Sequence, residues 1–239
     1  WLKSHFAEAF ASAHAALSED EWHSEERMLQ RIASLLDPAQ GDDFVAAAQC
    51  ARAASQPAAE AMVEAVAAEV VGNGVTVQYG PAGVQWCTDK MLEGIADASA
   101  RAGRRVHMHL LETRYQRAWA DQTYPDGIVR HLDRIGLVNE RVSFAHCIWL
   151  RPEEMDIIAE RGATVVTNPV SNLKLAGGAT LDFPAASLHG VALGLGTDGA
   201  ASNNTMDILE SMRITAIVQK QVQHDATWFT SAMALHMAG

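Results

Sequence analysis

The sequence predicts an α/β protein, a (β/α)8 TIM-like barrel that is incomplete at its N-terminal side. Three observations predict it. From residue 73 onward, short β-rich runs alternate with amphipathic helical segments, the pattern of parallel βαβ units. Nearly every run ends in a polar cluster, and a parallel barrel places its functional groups at the C-terminal ends of its strands. The chain has 239 residues, near the size of one barrel domain.

The predicted strands are Val75–Tyr79, Arg105–Leu110, Arg141–Ala145, Ala163–Thr167 and Val191–Gly196. The intervening segments 89–102, 126–136, 151–161 and 180–189 read as helices. Thr88-Asp89 makes a capped start for the first, and Pro152 sits at the first turn of the third. Eight strands would require about three more upstream. Residues 1–72 instead read as a mainly helical, Ala-rich segment, with Phe6, Phe10, Ala13, His14 and Leu17 fitting one stripe. Two domains are therefore expected: the helical segment 1–72, and 73–239 as strands four to eight of the barrel.

Composition excludes several classes. The net charge is −11 and the sequence holds no basic stretch to displace counterions from a phosphate backbone, so a nucleic-acid partner is not expected. No apolar run reaches membrane-spanning length. Cys50, Cys87 and Cys147 are scattered, which fits a reducing, cytoplasmic setting rather than a disulfide framework. The chain opens Trp-Leu-Lys-Ser-His without an initiator Met, and reads as a piece of a longer protein.

Four strand-end clusters carry the chemistry. In His107-Met-His109-Leu-Leu-Glu112, strand alternation turns both histidines to one side. Glu112 follows in the loop, a carboxylate suited to moving protons beside an imidazole that can bind zinc. His146 ends Ser143-Phe-Ala-His146, and Ser171, Asn172 and Lys174 follow the next strand. Asp198 follows the last, in Gly196-Thr-Asp198-Gly199; a buried carboxylate there needs a partner, and a metal would be one. The glycines of this last cluster match neither a dinucleotide fingerprint nor a Walker loop.

The stretches HMHLLET, SFAHC, TNPVSNLKL and GLGTDGAASNNTMDILESMR, in that order, resemble the methylthioadenosine/S-adenosylhomocysteine deaminase branch of the amidohydrolase superfamily, over roughly residues 74–239. Chlorotriazine hydrolases and guanine-type deaminases are neighbouring relatives. The resemblance implies one divalent metal ion, zinc with ferrous iron as the alternative. It makes His109 and Asp198 metal ligands, Glu112 the proton shuttle, His146 the residue orienting the hydrolytic water, and Asp198 the general base as well. The implied reaction is hydrolytic deamination of a small aminated heterocycle of purine, pterin or triazine type. Displacement of chloride or an alkylamine from a triazine-like ring, or a degenerate non-catalytic barrel, are the alternatives, and a homo-oligomer remains open.

This sequence departs from the family pattern at three places. No His-x-His pair precedes residue 107, since His5, His14 and His23 are isolated. Gly80-Pro81-Ala82-Gly83-Val84-Gln85-Trp86 replaces the Gly-Pro-His-Ser pattern of the nucleoside-processing relatives, and Trp149 stands where many relatives carry a second His. Gln85, Trp86, Trp149 and Asn172 are the expected substrate-binding residues. The two tryptophans point to an aromatic slot for a flat ring and away from an adenosine-type substrate.

Overall fold

A computed structural model describes residues 76–239, which fall within one compact unit, Val63–Gly239. The helical stripes expected in residues 1–72, with His5, His14 and His23, lie outside the described residues.

The described chain builds a four-stranded, all-parallel sheet in the order β1-β2-β3-β4. Its strands are β1 (Val106–Leu110), β2 (Val142–His146), β3 (Thr164–Thr167) and β4 (Ala192–Leu195). Each strand pairs with the next in sequence. A doubly wound sheet would reverse its order at a switch point; a strictly sequential parallel order is what a sector of a barrel gives.

Helices α1 (Asp89–Ala102), α2 (Arg114–Thr123), α3 (Ile128–Arg134), α4 (Pro152–Glu160), α5 (Pro169–Lys174) and α6 (Phe183–Leu188) fill the connections. Helices α7 (Ala200–Asn203), α8 (Ile208–Gln223) and α9 (Ser231–Ala238) follow β4. The starts read from sequence reflect real caps: the Thr88 hydroxyl accepts from the Met91 N–H, and Pro152 opens α4. The sequence reading names no helix at 114–123 or beyond residue 189. Yet Thr113, Asp207 and Thr230 each cap a helix there with a side-chain oxygen.

The expected strand at Val75–Tyr79 is corrected. Among residues 76–83, only isolated parallel bridges from Tyr79 to Val106 and from Gly83 to His109 tie this segment to β1. Pro81 lacks an N–H to donate to a ladder, and the 3-10 turn Val84–Trp86 follows at once.

The sheet has two unlike faces. Val106, Met108, Phe144 and Val165 lie on one and are buried among Leu92 of α1, Leu132 of α3, Ile158 of α4 and Phe183 of α6. His107, His109, Ser143, Ala145, Thr164 and Val166 share the other, in register across β1, β2 and β3. Phe144 is fully buried at the centre of the first face. Phe144→Ala is therefore expected to destabilise the native protein by about 3–5 kcal/mol, through lost burial and an unfilled cavity. Denaturant unfolding measures it, and a loss under about 1 kcal/mol would mean that the site collapses around the smaller residue.

Candidate active site

The C-terminal ends of the strands gather three side chains that can ligate a metal. His109 comes from β1, His146 from β2, and Asp198 from the loop after β4. One ligand atom from each lies within 4.8 Å of the other two. The His109 and His146 rings stack with centroids 5.3 Å apart.

Regular strand alternation alone would send His146 to the Phe144 side of the sheet. His146 and Cys147 both adopt left-handed backbone, with φ of 72° and 54°. That conformation breaks the alternation and brings the His146 ring against His109. Asp198 is also left-handed, at φ 61°. Non-glycine residues held there cost roughly 1–3 kcal/mol each, and such strain clusters at functional sites.

Each ligating group is held from behind. The His109 Nδ1–H donates to the Ala82 carbonyl, a backbone partner typical of metal-binding histidines. His146 is 1% exposed, and its Nδ1 lies 2.7 Å from Asn172 Oδ1. Its Nε2 is buried with no hydrogen-bond partner among the described residues. Asp198 Oδ2 accepts from the Ser171 hydroxyl at 2.6 Å, and Oδ1 accepts from the Gly199 N–H at 2.7 Å.

Burial pushes the Asp198 carboxyl up, but hydrogen bonds from Ser171, Gly199 and Ser202, with the nearby His146, outweigh it and hold the group below the usual carboxylate range. It is an anion at neutral pH. His107 shares the face of His109, and its Nδ1 lies 2.8 Å from the Ser143 hydroxyl. Burial holds His107 below the usual imidazole range, with His109 and His146 adding to the effect against Asp198 and Ser143.

Glu112 Oε1 lies 3.8 Å from His146 Nε2, and Asp198 Oδ2 lies 4.0 Å from the same nitrogen. Two carboxylates and an unpartnered imidazole nitrogen thus face one point. An imidazole with its other nitrogen occupied, a second histidine fixed by a carbonyl and an anionic carboxylate form a donor set that suits a zinc-type ion.

The expected substrate-binding residues do not all stand together. Trp86 is 63% exposed and meets the His109 ring edge-on at 6.3 Å. Gln85, beside it in the same turn, has a buried Nε2 without a partner among the described residues. Trp149 lies partly buried against the core, with the Arg114 guanidinium over its ring at 4.9 Å. Asn172 is 3% exposed and sits behind His146. Lys174 bridges forward to the Ala201 carbonyl at 3.0 Å and to the Asn204 side chain. The Ala82 carbonyl has no side-chain signature by which a sequence could reveal it. Gly196 is legible as a glycine: a Cβ there would collide with the Asn168 side chain, so its lack of a side chain makes room for Asn168.

The sequence profile of the amidohydrolase family matches residues 26–238, reaching upstream of residue 74. The 5'-deoxyadenosine deaminase of Methanothrix thermoacetophila is 43% identical over 144 residues, covering 59% of this chain and 34% of the relative. The 5-methylthioadenosine/S-adenosylhomocysteine deaminase of Dictyoglomus thermophilum is 37% identical over 166 residues, covering 69% and 38%. An adenosine deaminase from Xanthomonas campestris with bound zinc superposes with a TM-score of 0.69 at 32% identity, over 74% of this chain and 40% of that one. The zinc-complexed atrazine chlorohydrolase of Arthrobacter aurescens does so with a TM-score of 0.62 at 25% identity, over 66% and 35%. These relatives extend the four-stranded sector to a (β/α)8 barrel, and the chain spans 34–40% of the length of the first three. With a profile match over most of its length, the chain belongs to the amidohydrolase family.

Proposed function

We propose that the protein is a metal-dependent hydrolytic deaminase of an aminated nitrogen heterocycle, with an adenine-type nucleoside as the first substrate to assay. The observation that carries it is the convergence of His109, His146 and Asp198 within 4.8 Å, with Glu112 3.8 Å from His146. The relatives named as adenosine-type deaminases favour an adenine ring over the pterin and triazine rings, despite the substitutions at Gln85, Trp86 and Trp149.

His109 and Asp198 would hold the ion, zinc before ferrous iron, with His146 within reach as a third donor. When bound, it polarises water and lowers its pKa toward neutrality. Asp198 removes a proton from the attacking water. His146 orients that water through Nε2. The water oxygen bonds to the ring carbon that bears the amino group. Glu112 delivers a proton to the adjacent ring nitrogen, and the proton taken by Asp198 passes to the amino group. The carbon–nitrogen bond breaks, the amine leaves as ammonia, and the new hydroxyl returns its proton to Glu112. Trp86 offers its exposed face to the flat ring, where stacking contributes about 0.5–1.5 kcal/mol beyond area burial.

A substrate panel tests this in the native protein: adenine nucleosides, free purines, pterins and triazines, scored for ammonia, chloride and alkylamine. Ammonia released in step with the deaminated ring is expected. Chloride or alkylamine release without ammonia would move the assignment to triazine displacement. Release of none of the three would leave a non-catalytic barrel.

A further inference from the structure

Strand β3 supplies none of the three clustered ligands, although it lies between the strands that do. The turn that follows it explains how it contributes. We propose that Ser171 and Asn172, adjacent residues of α5, are positioning residues for the reaction: Ser171 fixes the Asp198 carboxylate and Asn172 fixes the His146 ring.

The placement follows from the sheet. β3 pairs with β2 on one side and β4 on the other, so the start of α5 sits between the ends of both neighbours. Successive helix residues project about 100° apart, from 3.6 residues per turn. Two consecutive side chains can therefore reach in two directions. Ser171 is fully buried and donates to Asp198 Oδ2 at 2.6 Å. Asn172, 3% exposed, places Oδ1 2.7 Å from His146 Nδ1. Asn168 stands one turn earlier, with Nδ2 3.5 Å from the same nitrogen. The shorter contact governs: Nδ1–H donates to Asn172 Oδ1. The bare lone pair of Nε2 then points to where Glu112 and Asp198 converge, which accounts for a buried nitrogen with no partner among the described residues. Fixing the ring tautomer from behind is how outer partners tune a metal-site imidazole.

This assignment moves Asn172 from the substrate to the scaffold of the site. It rests on the metal-dependent reading, so its test has a readout that needs no substrate. The variants are Ser171→Ala, Asn172→Leu, Asn172→Ala and Asn172→Asp in the native protein. Zinc affinity is measured by competition with a chromophoric chelator, and kcat and KM are measured on the best substrate of the panel. Asp keeps an acceptor for Nδ1–H, while Leu and Ala remove it.

Ser171→Ala, Asn172→Leu and Asn172→Ala are each expected to weaken zinc binding or lower kcat by about 10–100-fold, with KM little changed. Asn172→Asp is expected to restore most of the loss. Asn172→Ala serves if the Leu variant does not fold. The proposal is overturned if the Asp variant is as impaired as the Ala variant, or if Ser171→Ala and Asn172→Ala both match the wild type. A loss confined to KM would also overturn it, returning Asn172 to the substrate. If the wild type releases no ammonia, the functional reading fails, while zinc competition still reports on the positioning.

Discussion

Asp198→Asn is expected to lower kcat/KM for ammonia release by about 10⁴-fold, the upper end of what a positioned proton-transfer group contributes. The size follows from two roles carried by one side chain. Asp198 takes the water's proton, and it supplies one of the clustered ligand atoms. Asn is the informative replacement because it tolerates the left-handed backbone that this position adopts, at φ 61°. Ala would add strain of its own. Asn also keeps an acceptor for either Ser171 or the Gly199 N–H. The melting temperature should therefore stay within a few degrees, while zinc content and activity fall together. A variant that keeps activity within about tenfold of the wild type would remove Asp198 from both roles.

The second large effect separates proton transfer from metal binding. Glu112 Oε1 faces His146 Nε2 at 3.8 Å, but Glu112 is outside the three-residue ligand cluster. Glu112→Gln keeps the size and a hydrogen-bonding head group and removes the titratable proton. Its kcat is expected to fall by about 10²–10⁴-fold with zinc content unchanged. Metal analysis beside steady-state kinetics checks both parts. Loss of zinc in this variant would make Glu112 a ligand, and unchanged kcat would make it a bystander.

What the sequence could show of this fold and site follows a physical division. Local signals were legible. Thr88 and Pro152 mark helix starts through backbone hydrogen-bonding that depends on near neighbours alone. The alternation that puts His107 and His109 on one face is a property of any strand, and the sheet register carries it through.

Signals that depend on distant parts of the chain were not legible. The left-handed turn at His146 and Cys147 is stable only because the surrounding structure holds it. The partner of Asn172 lies 26 residues upstream, beyond the reach of any local pattern, and the family resemblance places its loop beside the substrate. Strand propensity over-read the segment before Pro81, where only single bridges form. Helix α8 carries no clean sequence signature because apolar Leu209, Ile217 and Val222 stand on its exposed side, blurring the apolar stripe that marks a surface helix.

If His109, His146, Asp198 and Glu112 together perform metal-dependent deamination, ammonia release must depend on the ion. The most direct test is ammonia release from an adenine nucleoside by the native protein, stripped of metal with a chelator and then reloaded with zinc. Stripping is expected to abolish release, and activity is expected to return in proportion to zinc bound, reaching its maximum near one ion per chain. Ammonia release that survives complete removal of metal would contradict metal-dependent deamination, as would a zinc-loaded protein that leaves every aminated heterocycle of the panel intact.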